Sequence, residues 1–262
     1  VWFQVAREEA TVEARVLKPL AFKSAEGRVE AFRALTERFA AVAGDEGVEV
    51  VPYWGNGPRH FAALPERKQR GVLAHFHRYV TVAEITLELG STLSEDRHFL
   101  WQMFRQLGVH PAANLLDRVA RTGDEVVEIY DANFVQIYRN LRFFRHCSYS
   151  LDELLSVPFW QLFARDPRIT GRILAIATEY FSGKRRDVFE WDLGRHTVEE
   201  IYGPKRYSSV VDQRLVAPLF DAHGRVEALL NTIREISTVS LGSRRMSGRD
   251  TELGTASSSA GA

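Results

Sequence analysis

A single cysteine, Cys147, is all the thiol chemistry in this sequence, which excludes an internal disulfide and a cysteine-based zinc cluster. Excess charge is also missing, since 34 Lys and Arg balance 34 Asp and Glu. A neutral chain is poorly suited to coat nucleic acid or an anionic membrane. No apolar run approaches the roughly 20 residues that span a bilayer. The opening VWFQVAREEATVEARV turns charged too early for a signal-peptide core. A cytoplasmic location is therefore expected, with no membrane partner. The sequence does not begin with Met, so a chain processed or cut from something longer is expected. No G-x-S-x-G, Walker, H-E-x-x-H or dinucleotide fingerprint occurs, nor a kinase phospho-acceptor motif. The expectation is a protein that is not an enzyme.

What is present is an ordinary globular composition, 45% hydrophobic and 26% charged, in a chain long enough to bury a core without covalent support. Hydrophobic spacing changes near residue 123. Before it, Val29, Phe32, Leu35, Phe39 and Val42 recur at helical intervals, with Gly44 as a stop. VEVVPYWGNGP reads as an extended turn. RKQRGVLAHFHRYVTVAEITLEL and SEDRHFLWQMFRQLG read as helices, the second capped by Ser94 and ended by Gly108. PAANLLDRVART reads as a last short helix opened by Pro111.

After Gly123 the period shortens. EVVEIYDANFVQIYRN reads as two strands around an Asp-Ala-Asn turn. Helical segments are expected over 142–156 and 168–182. DVFEW, RYSSVVDQRLVAPLF and VEALLNTIREI then read as strands, with DAHG a hairpin loop. The fold class is α+β, with helices on one sheet face. The expected organisation is a helical domain over 1–122, an α+β domain over 123–238 and a disordered Gly- and Ser-rich tail over 239–262.

The second domain resembles a PAS domain over about residues 124–237. IYDANFVQIYRN looks like the first PAS hairpin, with Asn140 starting the helical stretch. CSYSLDELL is similar to the family's "GYS-x-EEL" turn, with Tyr149, Ser150, Glu153 and Leu154 in register and Ser148 where Gly is usual. PLFDAHGRVEALLNTIREIS looks like the closing hairpin, through Pro218, Asp221, Gly224, Arg234, Glu235 and Ile236. The resemblance implies a five-stranded antiparallel sheet with helices inserted after the second strand. It also implies a sensory role in bacterial-type signal transduction. RHTVEEIYGPK is longer than a minimal PAS loop.

A ligand in such a fold would lie between helices and sheet. Phe143, Phe144, Phe159, Trp160 and Phe163 supply aromatic surface, and Ile173, Ile176 and Phe181 face inward from ITGRILAIATEYF. Val210 and Leu219 stand opposite on strands. Asn140, Tyr149, Gln213 and Arg214 are the polar residues that could orient a ligand. The reading preferred here is that the rings fill the core, since aromatics dominate core packing. No cofactor is the leading expectation, with haem or a small apolar metabolite as alternatives. The "NCRFLQ" motif of flavin-binding relatives is missing, and Cys147 reads as a buried structural thiol. ITGRILAIATEYF carries no histidine for haem; His146 and His196 are the other candidates.

His75, His77, Glu84, Glu88 and His98 lack the Glu-x-x-His pairing of di-iron bundles, so no metal is expected. Residues 66–110 resemble a LuxR-type helix-turn-helix at Val72-Leu73, Glu84-Ile85, Leu89 and Leu107-Gly108-Val109. Glu95 and Asp96 would there face phosphates and repel them. A DNA-binding regulator is therefore the alternative rather than the preferred function. The expected partners are a second copy, paired through the apolar stripes of 25–43 and 95–107, and a downstream signalling protein or effector domain.

Overall fold

The computed structural model describes residues 24–244. Expectations for the opening segment and for the tail beyond residue 244 lie outside the described residues. The helical part comprises α1 (Ala25–Asp45), α2 (Arg59–Ala62), α3 (Glu66–Glu88), α4 (Asp96–Leu107) and α5 (Leu115–Thr122). Ser24 caps α1 through its side chain, which accepts from Gly27 N at 3.0 Å. Gly108 ends α4 in the left-handed region, as its position predicts. Two sequence expectations shift here. The cap of α4 is Glu95, not Ser94. Pro111 opens no helix; with His110 it forms a short strand against Leu219 and Phe220.

The α+β part contains β1 (Glu125–Asp131), β2 (Gln136–Arg139), β3 (Arg195–Glu200), β4 (Gly203–Phe220) and β5 (Val226–Arg244). Between β2 and β3 stand α6 (Leu141–Arg145), α7 (Leu151–Ser156), α8 (Phe159–Leu162) and α9 (Pro167–Phe181). The sheet is antiparallel in the order β2-β1-β5-β4-β3, with Phe163–Ala164 added beyond β3 and Phe189–Glu190 against β4. This is the five-stranded sheet with helices after its second strand that the PAS resemblance implies. The β1–β2 turn is closed by Asp131, whose Oδ1 accepts from Asn133 N at 2.9 Å and Val135 N at 2.8 Å.

Three local expectations change. The segment 142–156 is broken into α6 and α7 by residues 146–150, because Ser150 and Glu153 form a capping box that starts a new helix. The third sheet strand is Arg195–Glu200; DVFEW contributes only two paired residues, so the long loop contains the strand. β5 continues through Arg244 against β4, which carries regular structure into the first residues of the expected tail.

Both sheet faces are covered. Val127 and Ile129 of β1, with Ala228 and Leu230 of β5, join the core made with α1, α3 and α4. Tyr138 on β2 meets Phe99 at 5.1 Å and Tyr79 at 5.8 Å, while Phe39 meets Phe144 at 5.7 Å. The boundary near 123 is thus a change of secondary structure and not a gap in packing. This placement also uses up the stripes that suggested dimerisation, since Phe32, Phe39, Phe99, Leu100 and Phe104 are buried inside the chain.

The same burial weighs against the helix-turn-helix alternative. α3 and α4 are separated by residues 89–95, longer than the motif's turn of about 3–4 residues. The face of α4 that carries Phe99 and Met103 is buried. No described helix is long and apolar enough to cross a membrane.

Candidate functional site

Strand alternation sends every second residue to the opposite face. In β1 that puts Glu128 and Tyr130 beneath α8 and α9, alongside Val216 of β4 and Leu229, Asn231 and Ile233 of β5. Between this face and the helices lies a cavity of about 360 Å³. Its roof is set by local signals. Pro158 precedes α8, Asp166 caps α9 by accepting from Arg168 N at 2.8 Å, and Pro167 occupies the first turn. Phe163 and Ala164 pair with Glu200 and Glu199, so Arg165 is held between a sheet bridge and a helix cap.

The roof is aromatic. Phe159 stacks on Phe163 at 4.7 Å and meets Tyr130 edge-on at 6.4 Å. Trp160 and Leu174 line the cavity yet are 60% and 42% exposed, so they stand at its mouth. The floor carries a buried polar chain. Gln136 Nε2 donates to Glu128 Oε1 at 2.6 Å, Asn231 Nδ2 donates to Glu128 Oε2 at 3.3 Å, and Gln213 Nε2 donates to Asn231 Oδ1 at 2.7 Å. Arg165 lies over the Phe159 ring at 5.9 Å.

Burial pushes the Glu128 carboxyl above the usual glutamate range, against the pull of the Asn231 hydrogen bond and of the Arg139 and Arg165 charges. Burial likewise pushes the Tyr130 phenol well up, helped by the Glu128 charge. A carboxyl raised in the folded state contributes stability that is full below its unfolded value and lost as pH rises through its folded one. Glu128→Gln removes that loss. In urea titrations across about pH 5–8, the wild type is expected to lose stability relative to Glu128→Gln as pH rises. Parallel curves for the two proteins would refute it.

Of the residues expected to bind a ligand, Phe159, Trp160, Phe163 and Ile173 come together at this cavity. Asn140, Phe144, Tyr149, Ile176, Val210 and Arg214 lie elsewhere, each for a visible reason. Asn140 is fully buried and its Nδ2 donates to Glu125 O at 2.9 Å, which ties the start of α6 to β1. Phe144 packs toward the N-terminal helices against Phe39. The Tyr149 hydroxyl is spent on Leu162 O and Tyr202 N at 2.5 and 3.2 Å. Ile176 packs half-buried beside Ala177 and Tyr180. Val210 is half-buried in β4, opposite Thr197 and Ser237. Arg214 points outward, pairing with Asp212 at 3.0 Å and Glu125 at 3.6 Å.

The interior is also not simply filled by rings, as the preferred sequence reading had it. Gln213, weighed as an orienting residue, does line the cavity. Glu128, Asn231, Arg165 and Trp191 were missed. The available signal was a polar residue at alternate positions of otherwise apolar strands, Glu128 in EVVEIY and Asn231 in EALLNTI.

No His, Cys or Met stands among the residues lining the cavity. The haem alternative therefore lacks an imidazole, thiolate or thioether ligand there. His146 and Cys147 line an adjoining space of only about 70 Å³. Burial pushes the Cys147 thiol well up, with the Glu200 charge adding to it, so it is a poor nucleophile.

No family model matches the sequence, and no curated protein matches it. Among solved structures, the chain is similar to the light-state structure of the blue-light photoreceptor Aureochrome1 LOV, with 18% identity over 46% of this chain and 88% of that one and a TM-score of 0.32. It is similar to a sensory box sensor histidine kinase from Vibrio cholerae, with 11% identity over 47% of this chain and 90% of that one and a TM-score of 0.31. An RNA-binding Light-Oxygen-Voltage receptor matches at 12% identity over 82% of this chain and 65% of that one, with a TM-score of 0.30.

Proposed function

We propose that this PAS-like chain is a sensory module in which a small ligand occupies the cavity under α8 and α9 and its presence is passed to a partner protein or effector domain. The observation that supports this reading is the cavity itself. Its 360 Å³ falls at the small end of ligand sites, which span about 300–1,000 Å³ and combine apolar walls with a few placed polar groups. A route outward exists in one element. β5 carries Leu229, Asn231 and Ile233 at the cavity floor, and farther along it the exposed Val239 and Leu241.

Action by binding and not by catalysis is part of the proposal. The titratable side chains lining the cavity are Glu128, Tyr130 and Arg165, and they include no nucleophile beside a general base. Pairing with a second copy is also part of it. With the helical stripes buried, the exposed Ile236, Val239 and Leu241 near the end of β5 are the better candidates for the contact.

Native mass spectrometry of freshly purified protein, with a thermal-shift screen of small metabolites, tests these points together. The expected result is a dimer mass and either a co-purified small molecule or a saturable rise in melting temperature. A flat screen with no bound molecule would overturn the ligand role, and a monomer at tens of micromolar would overturn the pairing.

A further inference from the structure

Three buried polar atoms on residues lining the large cavity have no hydrogen-bond partner: Arg165 Nε, Trp191 Nε1 and Gln213 Oε1. Buried polar groups in native proteins are nearly always satisfied, so orphaned ones beside open space mark where a ligand's polar atoms belong. Two of the three are donors, and one of those belongs to a cation. Arg165 has neither a hydrogen bond nor an ion pair among the described residues, and its close neighbour is the face of Phe159.

The acid on the same wall is already occupied. Both Glu128 oxygens accept from neutral amides, those of Gln136 and Asn231. Tyr130, the remaining titratable group lining the cavity, is a phenol. The cavity thus presents a guanidinium at the edge of an aromatic chamber. A guanidinium matches the planar carboxylate in shape and charge. The volume sets a limit as well: about 150 Å³ holds one benzene, so 360 Å³ admits one or two rings.

We propose that the cavity binds a compact aromatic monocarboxylate, its ring among Phe159, Phe163 and Ile173 and its carboxylate on the Arg165 guanidinium. Trp191 Nε1 and Gln213 Oε1 remain for a further polar substituent. This proposal rests on reading the cavity as a ligand site.

The test is calorimetric titration of the full chain with benzoate, phenylacetate and indole-3-acetate, each against its neutral amide. At least one acid is expected to bind about tenfold or more tightly than its amide, as a charge-assisted hydrogen bond implies. Arg165→Met is expected to abolish that preference while leaving the ligand-free melting temperature largely unchanged, because the half-buried guanidinium makes no hydrogen bond or ion pair among the described residues that the variant would lose. Arg165→Gln serves the same comparison if the Met variant fails to fold. Ala177→Leu, which fills the cavity, is expected to weaken acids and amides alike. Equal binding of acid and amide, or a preference that survives loss of Arg165, overturns the ligand class and leaves the cavity a ligand site. No binding by any probe, with no co-purified small molecule, overturns both.

Discussion

Phe39→Ala is expected to lower the unfolding free energy by about 3–5 kcal/mol, and to do so for helices and sheet together. Phe39 is fully buried, with ring centroids of Tyr79 at 4.9 Å, Phe144 at 5.7 Å and Phe76 at 6.0 Å. Two of these neighbours lie on α3, but Phe144 lies on α6 of the PAS-like part. Truncating the ring opens a cavity where three helices meet, and the surrounding backbone can collapse only partly. The hydroxyl of Tyr79 adds a second link across the same seam, donating to Arg139 O at 2.6 Å. One continuous core predicts one transition. Circular dichroism and the summed fluorescence of the five tryptophans should therefore trace the same urea curve in wild type and variant. A helical part that melts alone, or a cost below about 1 kcal/mol, would show that the helices are a separable domain.

Asp152→Ala should cost about 2–4 kcal/mol, through hydrogen bonds instead of packing. Its two carboxylate oxygens accept from the backbone N–H groups of Phe61 at 2.8 Å and His60 at 3.0 Å. Those are N-terminal donors of α2, a helix too short to supply its own cap, so Asp152 caps it from across the structure. Alanine would leave both donors without a protein partner, that of Phe61 in a buried site and that of His60 in a part-buried one. The clamp has further members. Leu151 N and Asp152 N donate to Val51 O and Pro52 O at 2.8 and 3.0 Å, and Trp54 Nε1 donates to Glu153 at 2.9 Å. Asp152→Asn keeps one acceptor oxygen and should lose about half as much. Equal losses for the two variants, measured by urea titration, would assign the effect to the lost charge, and an unchanged Asn variant would assign it to volume, in neither case to the cap.

The clamp illustrates what the sequence exposes and what it hides. The PAS resemblance marked SYSLDELL as a turn, and the Ser150–Glu153 capping box that makes it one acts within one turn of chain, although hydrophobic spacing alone ran a single helix through it. The role of Asp152 was not legible, because its partners lie 91 and 92 positions away. The candidate site divides along the same line. Phe159, Trp160, Phe163 and Ile173 were found because they cluster within one short stretch of sequence. Glu128, Arg165, Gln213 and Asn231 come from four separate stretches, and only sheet register sets them around one space.

The third strand shows how a local rule can mislead. DVFEW has strong strand propensity and RHTVEE does not, yet RHTVEE is the strand. Its register against β4, His196 opposite Val211 and Val198 opposite Ser209, is fixed by the partner strand. Strand propensity reflects fit to a surface more than a backbone preference, so the partner decides.

The PAS resemblance implied the arrangement of the strands; by itself the sequence determined most of the helices and strands and the change from helices to sheet near residue 123. These follow from spacing, caps and turns that act over a few residues. Only the tertiary structure decided that the N-terminal helices cover the sheet's second face, that their apolar stripes are spent there, and that the other face keeps an open cavity edged by Arg165. Which face of a strand meets which helix depends on contacts between residues far apart in the chain, and periodicity reports the existence of a buried face but not what covers it.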